Sequence, residues 1–217
     1  MKQTKFYEVY RQGKRLLTRN LIKGKSFDEI IIKEKGVEYR VWDIRRSKLA
    51  AAIAKGISQI GLKPNDIVLY LGASYGQTAS YISDIVGEKG FVFALDFAPR
   101  STRDLYFLCL KRKNITPLLE DAFHPENYKE NIVEVDFLYQ DIAQRNQAEI
   151  FIKNLQFLKK DGFAVLCIKA RSIDVTKKPK QVFNQVRNYL EKYITIVDYR
   201  TLEPFERDHC VFVCKKK

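Results

Sequence analysis

Polar residues that could hold a small ligand follow several apolar runs of this sequence, each at the end of a predicted strand. The run IVLYL, residues 67–71, leads into a loop where Gly72 and Gly76 bracket a tight turn, so that a ligand can approach the backbone. Asp96 ends the next apolar run. In a βαβ unit, a carboxylate at that place faces the ribose hydroxyls of a nucleoside cofactor. Together these residues indicate a nucleoside site.

The spacing of the two glycines narrows the choice of cofactor. Gly-x-x-x-Gly differs from the Gly-x-Gly-x-x-Gly that is expected for a pyrophosphate. A cofactor without phosphates fits this loop better, and S-adenosylmethionine is the common one. A glycine after the first strand also occurs merely to let the next helix pack closely, so the loop taken alone leaves that alternative open.

Three further predicted strands end in charged residues that would reach the same edge of a sheet. Asp121 follows the third strand, Asp141 the fourth and Lys169 the fifth. Each has a structural alternative, since an Asp after a strand is commonly a helix N-cap and a Lys there can be the first solvated residue. Polar residues at five strand ends in succession favour a binding site, because open α/β sheets bind ligands at the carboxyl ends of their strands.

The elements that must position these residues alternate between strands and helices. Apolar periodicity predicts strands at 67–71, 91–95, 115–119, 133–139, 163–168, 194–200 and 209–214, and helices at 77–86, 101–112, 145–158 and 180–192. This pattern predicts an α/β fold with a seven-stranded, doubly wound, Rossmann-like sheet. Only TLEPFERD separates the last two strands, so we expect them to pair antiparallel, as in the fold of S-adenosylmethionine-dependent methyltransferases.

The first 44 residues have a different pattern. They alternate between apolar and polar residues, which predicts β-hairpins with a glycine-containing turn at Glu34-Lys35-Gly36. This segment is predicted to be a small β-rich N-terminal domain, 1–44, before the methyltransferase domain, 45–217. The segment RRSKLAAAIAKGISQIGL follows and predicts a helix. Its residues Leu49, Ile53, Ile57 and Ile60 recur at helical spacing.

Composition bounds the class of protein and its partners. The chain carries a net charge of +13, which favours a polyanionic partner, nucleic acid before membrane, although a generally Lys-rich surface is the alternative. Its four cysteines form no Cys-x-x-Cys pair, and the start MKQTKFYEVY lacks an apolar signal core. We therefore expect a soluble, cytoplasmic protein with reduced cysteines, no membrane partner and no metal site.

Several runs of the sequence resemble the fibrillarin family in its archaeal form, over nearly the whole chain. They are WDIRRSKLAAAI, VLYLGASYGQT, FALDFAPRSTRDL, PLLEDAFHPENY, YQDIAQRNQAEI, CIKARSID and PFERDHCVFV. The resemblance implies ribose 2'-O-methylation of rRNA, and of tRNA as a second substrate, with S-adenosylmethionine as the methyl donor. The sequence departs from the family where Asp96 replaces Glu, Gln77 replaces Thr, and Ile44 and Arg145 replace Pro.

The resemblance also implies which residues contact the cofactor. Asp96 would bind the ribose hydroxyls, Phe97 would pack on the adenine face and Asp121 would accept from the adenine amino group. Gln77 and Thr78 would face the methionine end. The full predicted set is Gly72, Ala73, Gln77, Thr78, Asp96, Phe97, Asp121, Ala122, Asp141, Ile142, Ala143 and Gln144.

A catalytic set of Lys48, Asp141, Lys169 and His209 follows from the same resemblance. Methyl transfer to a ribose hydroxyl is an in-line displacement, so positioning of the reactants should supply much of the rate and a base the rest. Lys169 is the predicted base, provided that burial and the nearby cation Lys48 favour its neutral form. Asp141 would hold the lysines. For His209, a structural role at the start of an apolar strand is the alternative.

No motif in the sequence reads bases, so the resemblance implies that specificity comes from partners. These would be a box C/D guide RNA that pairs with the target, a box C/D scaffold protein and a kink-turn-binding protein of ribosomal type. Two other classes stay open: a nicotinamide-dependent oxidoreductase, which calorimetry with S-adenosylmethionine and NAD would separate, and a catalytically idle RNA-particle subunit, which an activity assay would exclude.

Overall fold

Five short strands form the N-terminal sheet of the computed structural model, which describes residues 1–217. They are β1 (Lys2–Gln3), β2 (Val9–Gln12), β3 (Arg15–Arg19), β4 (Ile31–Glu34) and β5 (Val37–Trp42), in the order β1-β2-β3-β5-β4. All neighbours are antiparallel. The predicted hairpins are confirmed, including the turn at Lys35-Gly36, where both residues have positive φ.

A seven-stranded sheet forms the rest of the chain's framework. Its strands are β6 (Ile67–Leu71), β7 (Phe91–Asp96), β8 (Ile115–Leu119), β9 (Val135–Gln140), β10 (Leu158–Lys169), β11 (Thr195–Thr201) and β12 (His209–Lys215). They lie in the order β11-β12-β10-β9-β6-β7-β8. Strands β6 to β10 pair in parallel, whereas β12 is antiparallel to both β10 and β11. The prediction of a mostly parallel sheet closed by a hairpin is confirmed.

Helices cover both faces of this sheet and give two separate cores. They are α1 (Lys48–Ala54), α2 (Gln77–Val86), α3 (Pro99–Lys111), α4 (Gln147–Asn154), α5 (Ala170–Ile173) and α6 (Pro179–Leu190). One core contains α1, α2 and the inner face of α3 together with residues of the N-terminal sheet. The other contains α4 and α6. None of the helices is long and apolar enough to cross a membrane.

Two predicted helices are shorter than expected. Helix α1 ends at Ala54 because Gly56, at a φ of +77°, turns the backbone out of the helix, although Ile57 and Ile60 are still buried in the core. Helix α4 ends at Asn154, and a single 3-10 turn leads into β10, which begins at Leu158 and not at 163. The apolar periodicity of the sequence continues past the ends of both helices because the chain beyond them still packs its apolar residues inward.

The N-terminal sheet is joined to the larger sheet's helices by one buried carboxylate, that of Asp84 on α2. Its oxygens accept from the Thr18 hydroxyl at 2.7 Å and from the Leu21 backbone N–H at 3.1 Å, both in the N-terminal part. They also accept from the guanidinium of Arg40 on β5 at 2.9 Å and from that of Arg112, just after α3, at 2.7 Å. Four donor residues from separate parts of the chain therefore converge on the Asp84 side chain.

Both guanidinium groups in this cluster are fully buried. Burial disfavours the charge of Arg40, but Asp84, Tyr81 and Glu29 outweigh burial and raise the pKa of Arg40 above its ordinary value. At Arg112, burial outweighs Asp84 and lowers the pKa. The pair of cations thus depends on Asp84 for most of its compensation, because Glu29 bonds only Arg40, at 2.7 Å.

Replacement of Asp84 by Ala should lower the free energy of unfolding by about 3–5 kcal/mol, because it leaves two buried guanidinium groups without their shared carboxylate. Denaturant titration followed by circular dichroism measures this loss. Asp104→Ala is the matched control, since Asp104 is an exposed partner of Arg103 and should change stability by less than about 1 kcal/mol. Equal losses in the two variants would contradict a special role for Asp84.

Candidate functional site

A cavity of about 230 Å³ lies outside the carboxyl ends of strands β6 to β9. Strand order reverses between β6 and β9, because the connection from β6 leads to β7 on one side and the connection from β9 leads to β10 on the other. Such a switch point opens a crevice for ligands. The cavity is lined by Gly72, Ser74, Leu95, Asp96, Phe97, Glu120, Asp121, Ala122, Asp141, Ile142, Ala143 and Gln144.

Gly72 lets the first strand-end loop lie directly against the end of β9. Its φ of +80° favours glycine, and a Cβ atom built there would lie 2.5 Å from the carbonyl oxygen of Asp141. The Asp141 N–H in turn donates to the Leu71 carbonyl at 2.9 Å. The glycine that the sequence singled out therefore serves a close approach of two backbones at the cavity.

Asp96 is held in place by backbone donors. Its carboxylate accepts from the N–H of Ser74 at 2.8 Å and from the N–H of Ala98 at 3.0 Å. Asp96 lines the cavity but is only 8% exposed, so little water competes for the lone pairs that its backbone donors leave free. Phe97 beside it is 63% exposed, which leaves an aromatic face free for a flat ligand.

Asp121 and Asp141 are not helix N-caps, which was the structural alternative for both. Asp121 accepts from the Phe123 N–H at 2.9 Å and forms a turn. The N-cap of α4 is Asn146, and Asp141 uses its carboxylate for an ion pair with Lys48. Both residues line the cavity.

Three predicted cofactor contacts do not line this cavity. Ala73 is buried in the core. The hydroxyl of Thr78 donates to the hydroxyl of Ser47 at 3.1 Å, so it ties α2 to the start of α1. Gln77 accepts from the Tyr75 hydroxyl at 2.7 Å and lines a different cavity. Their assignment as cofactor contacts stays a prediction.

Lys48 and Asp141 form an ion pair beside the cavity. The Lys48 ammonium lies 2.9 Å and 3.0 Å from the two carboxylate oxygens. Burial disfavours the ammonium, but the Asp141 carboxylate outweighs burial, so the pKa of Lys48 lies above its ordinary value. Asp141 therefore favours the charged form of Lys48, and the ion pair orients the Asp141 carboxylate.

The other two residues of the predicted catalytic set are neighbours across the β10–β12 ladder. Lys169 at the end of β10 pairs with His209 at the start of β12. The expected burial of Lys169 is wrong: its side chain is exposed, because it is the last residue of the strand. Its role as the base stays a prediction.

His209 is buried, and its Nδ1 donates to the carbonyl oxygen of Arg207 at 2.6 Å, which leaves the Nε2 lone pair available. Burial, and then the charge of Lys48, lower the pKa of His209 below its ordinary value. Both effects favour the neutral imidazole, which makes His209 a second candidate for the base.

Gln147, at the start of α4, fixes the backbone of Lys169. Its amide oxygen accepts from the Lys169 N–H at 3.0 Å and its amide nitrogen donates to the Lys169 carbonyl at 3.2 Å. The same nitrogen donates to the carbonyl of Gln144 in the cavity lining. Sequence reasoning missed Gln147, although a glutamine on the buried side of an amphipathic helix is a signal for a polar clamp.

Ser74, Leu95 and Glu120 also line the cavity and were not predicted. Each adjoins a predicted residue: Leu95 precedes Asp96, Glu120 precedes Asp121, and Ser74 bonds Asp96. The lining thus has four carboxylates and no Lys or Arg; the carboxylates belong to Asp96, Glu120, Asp121 and Asp141. The cavity therefore favours hydroxyl groups, amino groups and positive charge over phosphates.

The comparison with known protein families decides the assignment. The family model described as Fibrillarin matches residues 1–217. The chain belongs to the fibrillarin family. A fibrillarin-like rRNA/tRNA 2'-O-methyltransferase of Thermococcus onnurineus is 47% identical to it over 206 residues, which cover 94% of this chain and 91% of the relative.

Solved structures of the fibrillarin family are similar over the whole length. Aeropyrum pernix fibrillarin in complex with natively bound S-adenosyl-L-methionine has a TM-score of 0.89 at 40% identity, covering 98% of this chain and 96% of that one. A fibrillarin/Nop5p complex contains a chain with a TM-score of 0.92 at 38% identity, covering 99% of this chain and 100% of that one. The fold, including its N-terminal sheet, is therefore that of the fibrillarin family.

The cavity lining gives a test of cofactor binding. Replacement of Asp96 or of Asp121 by Ala should weaken S-adenosylmethionine binding by about 1–3 kcal/mol, the range for a lost hydrogen bond that leaves a buried partner unsatisfied. Isothermal titration calorimetry on the folded variants measures the change. Glu88→Ala is the control, because Glu88 is exposed in the turn between α2 and β7, at the opposite edge of the sheet. Unchanged affinity in both test variants would refute this use of the cavity.

Proposed function

We propose that this chain transfers a methyl group from S-adenosylmethionine to the 2'-hydroxyl of ribose in rRNA and tRNA. The observation that carries the proposal is the placement of Asp141, which lines the cavity and also pairs with Lys48. A cofactor site and a charged catalytic group are thereby contiguous. Membership of a family whose relatives are named as rRNA/tRNA 2'-O-methyltransferases supports the substrate.

The residues of the cavity fit S-adenosylmethionine. Bound there, it would supply an electrophilic methyl group on a positively charged sulfur. Asp96 offers acceptor positions to ribose hydroxyls, Phe97 an exposed ring to the adenine face and Asp121 an acceptor to its amino group. All charged residues of the lining are acidic, which disfavours the pyrophosphate of NAD and argues against a nicotinamide-dependent oxidoreductase.

The chain's part in the chemistry is to place a ribose hydroxyl and to receive its proton. As the new oxygen–carbon bond forms, the hydroxyl proton must pass to a group that is not already protonated. Lys48 is excluded because it is held as a cation by Asp141. Lys169 is the proposed base, which requires bound RNA to cover its exposed side chain and favour its neutral form. Gln147 holds the Lys169 backbone at the edge of the site. His209, the register partner of Lys169, is the second candidate.

The partners follow from the lack of any base-reading element in this chain. The protein is the catalytic subunit of an RNA particle, held by a scaffold protein, as the fibrillarin/Nop5p complex supports. In the finer proposal, a box C/D guide RNA pairs with the target and a kink-turn-binding protein of ribosomal type completes the particle. Four buried, unpaired cysteines support a cytoplasmic location for it.

Substitution of Lys169 separates binding from chemistry. Lys169→Ala should leave S-adenosylmethionine affinity unchanged while turnover in assembled particles falls by roughly 10²–10⁴-fold, the contribution of a general base. Single-turnover assays measure the rate. Lys160→Ala is the matched control, an exposed lysine near the other end of β10. If Lys169→Ala retains the wild-type rate while the chain is active, Lys169 is not the base and His209 takes its place.

The partner proposal is tested by mapping methylated riboses with and without the particle components. The isolated chain should bind RNA weakly and without sequence preference, because its +13 charge attracts phosphates alone. With scaffold proteins and a guide RNA, methylation should be confined to one nucleotide opposite the guide. Efficient modification of a single site by the chain alone would refute the need for partners, and no methylation in any assembly would indicate an idle subunit.

A further inference from the structure

A second cavity, of about 330 Å³, lies where the N-terminal sheet meets helix α2, and we refer to it as the junction cavity. Leu16 of β3, Trp42 of β5 and Tyr81 of α2 contribute to its apolar wall. Of the residues predicted to serve methyl transfer, Gln77 alone lines it. Its volume lies at the small end of the range of about 300–1,000 Å³ for small-ligand pockets. The space suits a group of about the size of one nucleotide.

Trp42 gives this cavity an unused hydrogen-bond donor. It is the only tryptophan of the chain, it is 1% exposed, and it stacks on Tyr81 with ring centroids 5.1 Å apart. No protein atom accepts from its Nε1–H. A buried tryptophan N–H usually has a partner, and an unpaired buried donor costs about 1–3 kcal/mol. Because the N–H is covered in this structure, a ligand with an acceptor atom would gain affinity from it once the lining side chains shift to expose it.

The charges at the mouth of the junction cavity determine which charge a ligand should carry. Two of the three carboxylates there pair closely with arginines, Glu29 with Arg40 and Asp28 with Arg46 at 2.8 Å. The third, Asp43, accepts from a backbone N–H and lies 3.9 Å from Arg46, so its charge is not cancelled by a partner of its own.

Lys14 and Arg15, at the β2–β3 turn, are exposed and form no ion pair. These two cations outnumber the one carboxylate, Asp43, that has no arginine of its own, so the net charge at the mouth is positive. This charge favours an anionic ligand.

The junction cavity is connected to the catalytic group by a short stretch of chain. Ile44 lines the cavity, and Lys48, which pairs with Asp141, follows four residues later. Four residues span at most about 14 Å. An RNA strand that presents a ribose beside Asp141 therefore has the junction cavity within reach of a nearby nucleotide.

We propose that the junction cavity binds one unpaired nucleotide of the RNA on which this chain acts. The base enters the apolar space and accepts from the indole N–H of Trp42, while a phosphate lies against Lys14 and Arg15. Unpaired bases can be splayed out and received in this way, whereas a duplex keeps them stacked. This inference rests on the proposed function, because it takes RNA as the substrate. It gives the N-terminal sheet a role in holding RNA beside the site.

Because Trp42 is the only tryptophan, its fluorescence reports on the cavity directly. Titration of the full chain with a single-stranded oligouridylate should change tryptophan emission saturably, and titration with inorganic polyphosphate of equal charge should not. Lys14→Glu combined with Arg15→Glu should weaken this binding by about tenfold or more through lost phosphate contacts. Lys89→Glu combined with Lys113→Glu is the control of equal charge change, since both residues are exposed at the opposite edge of the sheet.

A second variant fills the junction cavity with a larger side chain at an exposed lining position. Ile30 lines it and is 52% exposed, so Ile30→Phe should leave the melting temperature unchanged while abolishing the fluorescence response. In assembled, active particles both test variants should raise KM for the target RNA with kcat unchanged.

Active wild-type particles without any emission change on RNA binding would overturn the proposal and leave the proposed function standing. An emission change on addition of scaffold protein alone would also overturn it, because the cavity would then be a protein-docking site. Absence of methylation in every assembly would count against the proposed function instead, while the fluorescence response to RNA would still decide the occupant of the cavity.

Discussion

The fold depends on the compensation of two buried arginines by one carboxylate. Asp84 receives hydrogen bonds from Arg40 and Arg112 and, in addition, from Thr18 and Leu21 of the N-terminal part. Removal of Asp84 would leave two guanidinium charges without their shared carboxylate in a site that water does not reach. The N-terminal sheet is therefore fixed to helix α2 by electrostatics as well as by shared apolar packing, and α2 begins directly at the loop of the cofactor cavity.

The parallel sheet then brings chemistry-bearing residues together that lie far apart in the sequence. Asp96, Asp121 and Asp141 end three different strands, and their side chains reach one cavity because parallel strands end at the same edge. The lining has four carboxylates and no Lys or Arg, and only Asp141 pairs with a cation beside it, so the cavity prefers a cation with hydroxyl and amino groups. The Lys48–Asp141 pair joins this cavity to the group that handles the ribose, so binding and catalysis share one residue.

The sequence predicted what periodicity and chain order determine. All seven strands of the large sheet, the closing hairpin and the strand-end positions of Asp96, Asp121 and Asp141 follow from apolar patterns that the core imposes. Contacts across the sheet edge could not be predicted, because they depend on three-dimensional packing. Thr78 bonds Ser47 instead of facing the cavity, Gln147 clamps a strand 22 residues away, and Lys169 is exposed because its strand ends at that residue.

The missing side chain at Gly72 has a consequence for engineering and for evolutionary change. The carbonyl that blocks a Cβ there belongs to Asp141, so even alanine would push apart the cofactor loop and the residue that holds Lys48. Variation at this site is thus limited by the backbone before any question of chemistry arises. A library aimed at unnatural methyl donors should keep position 72 constant and randomise Phe97 and Asp121, whose exposed side chains can change size without moving a strand.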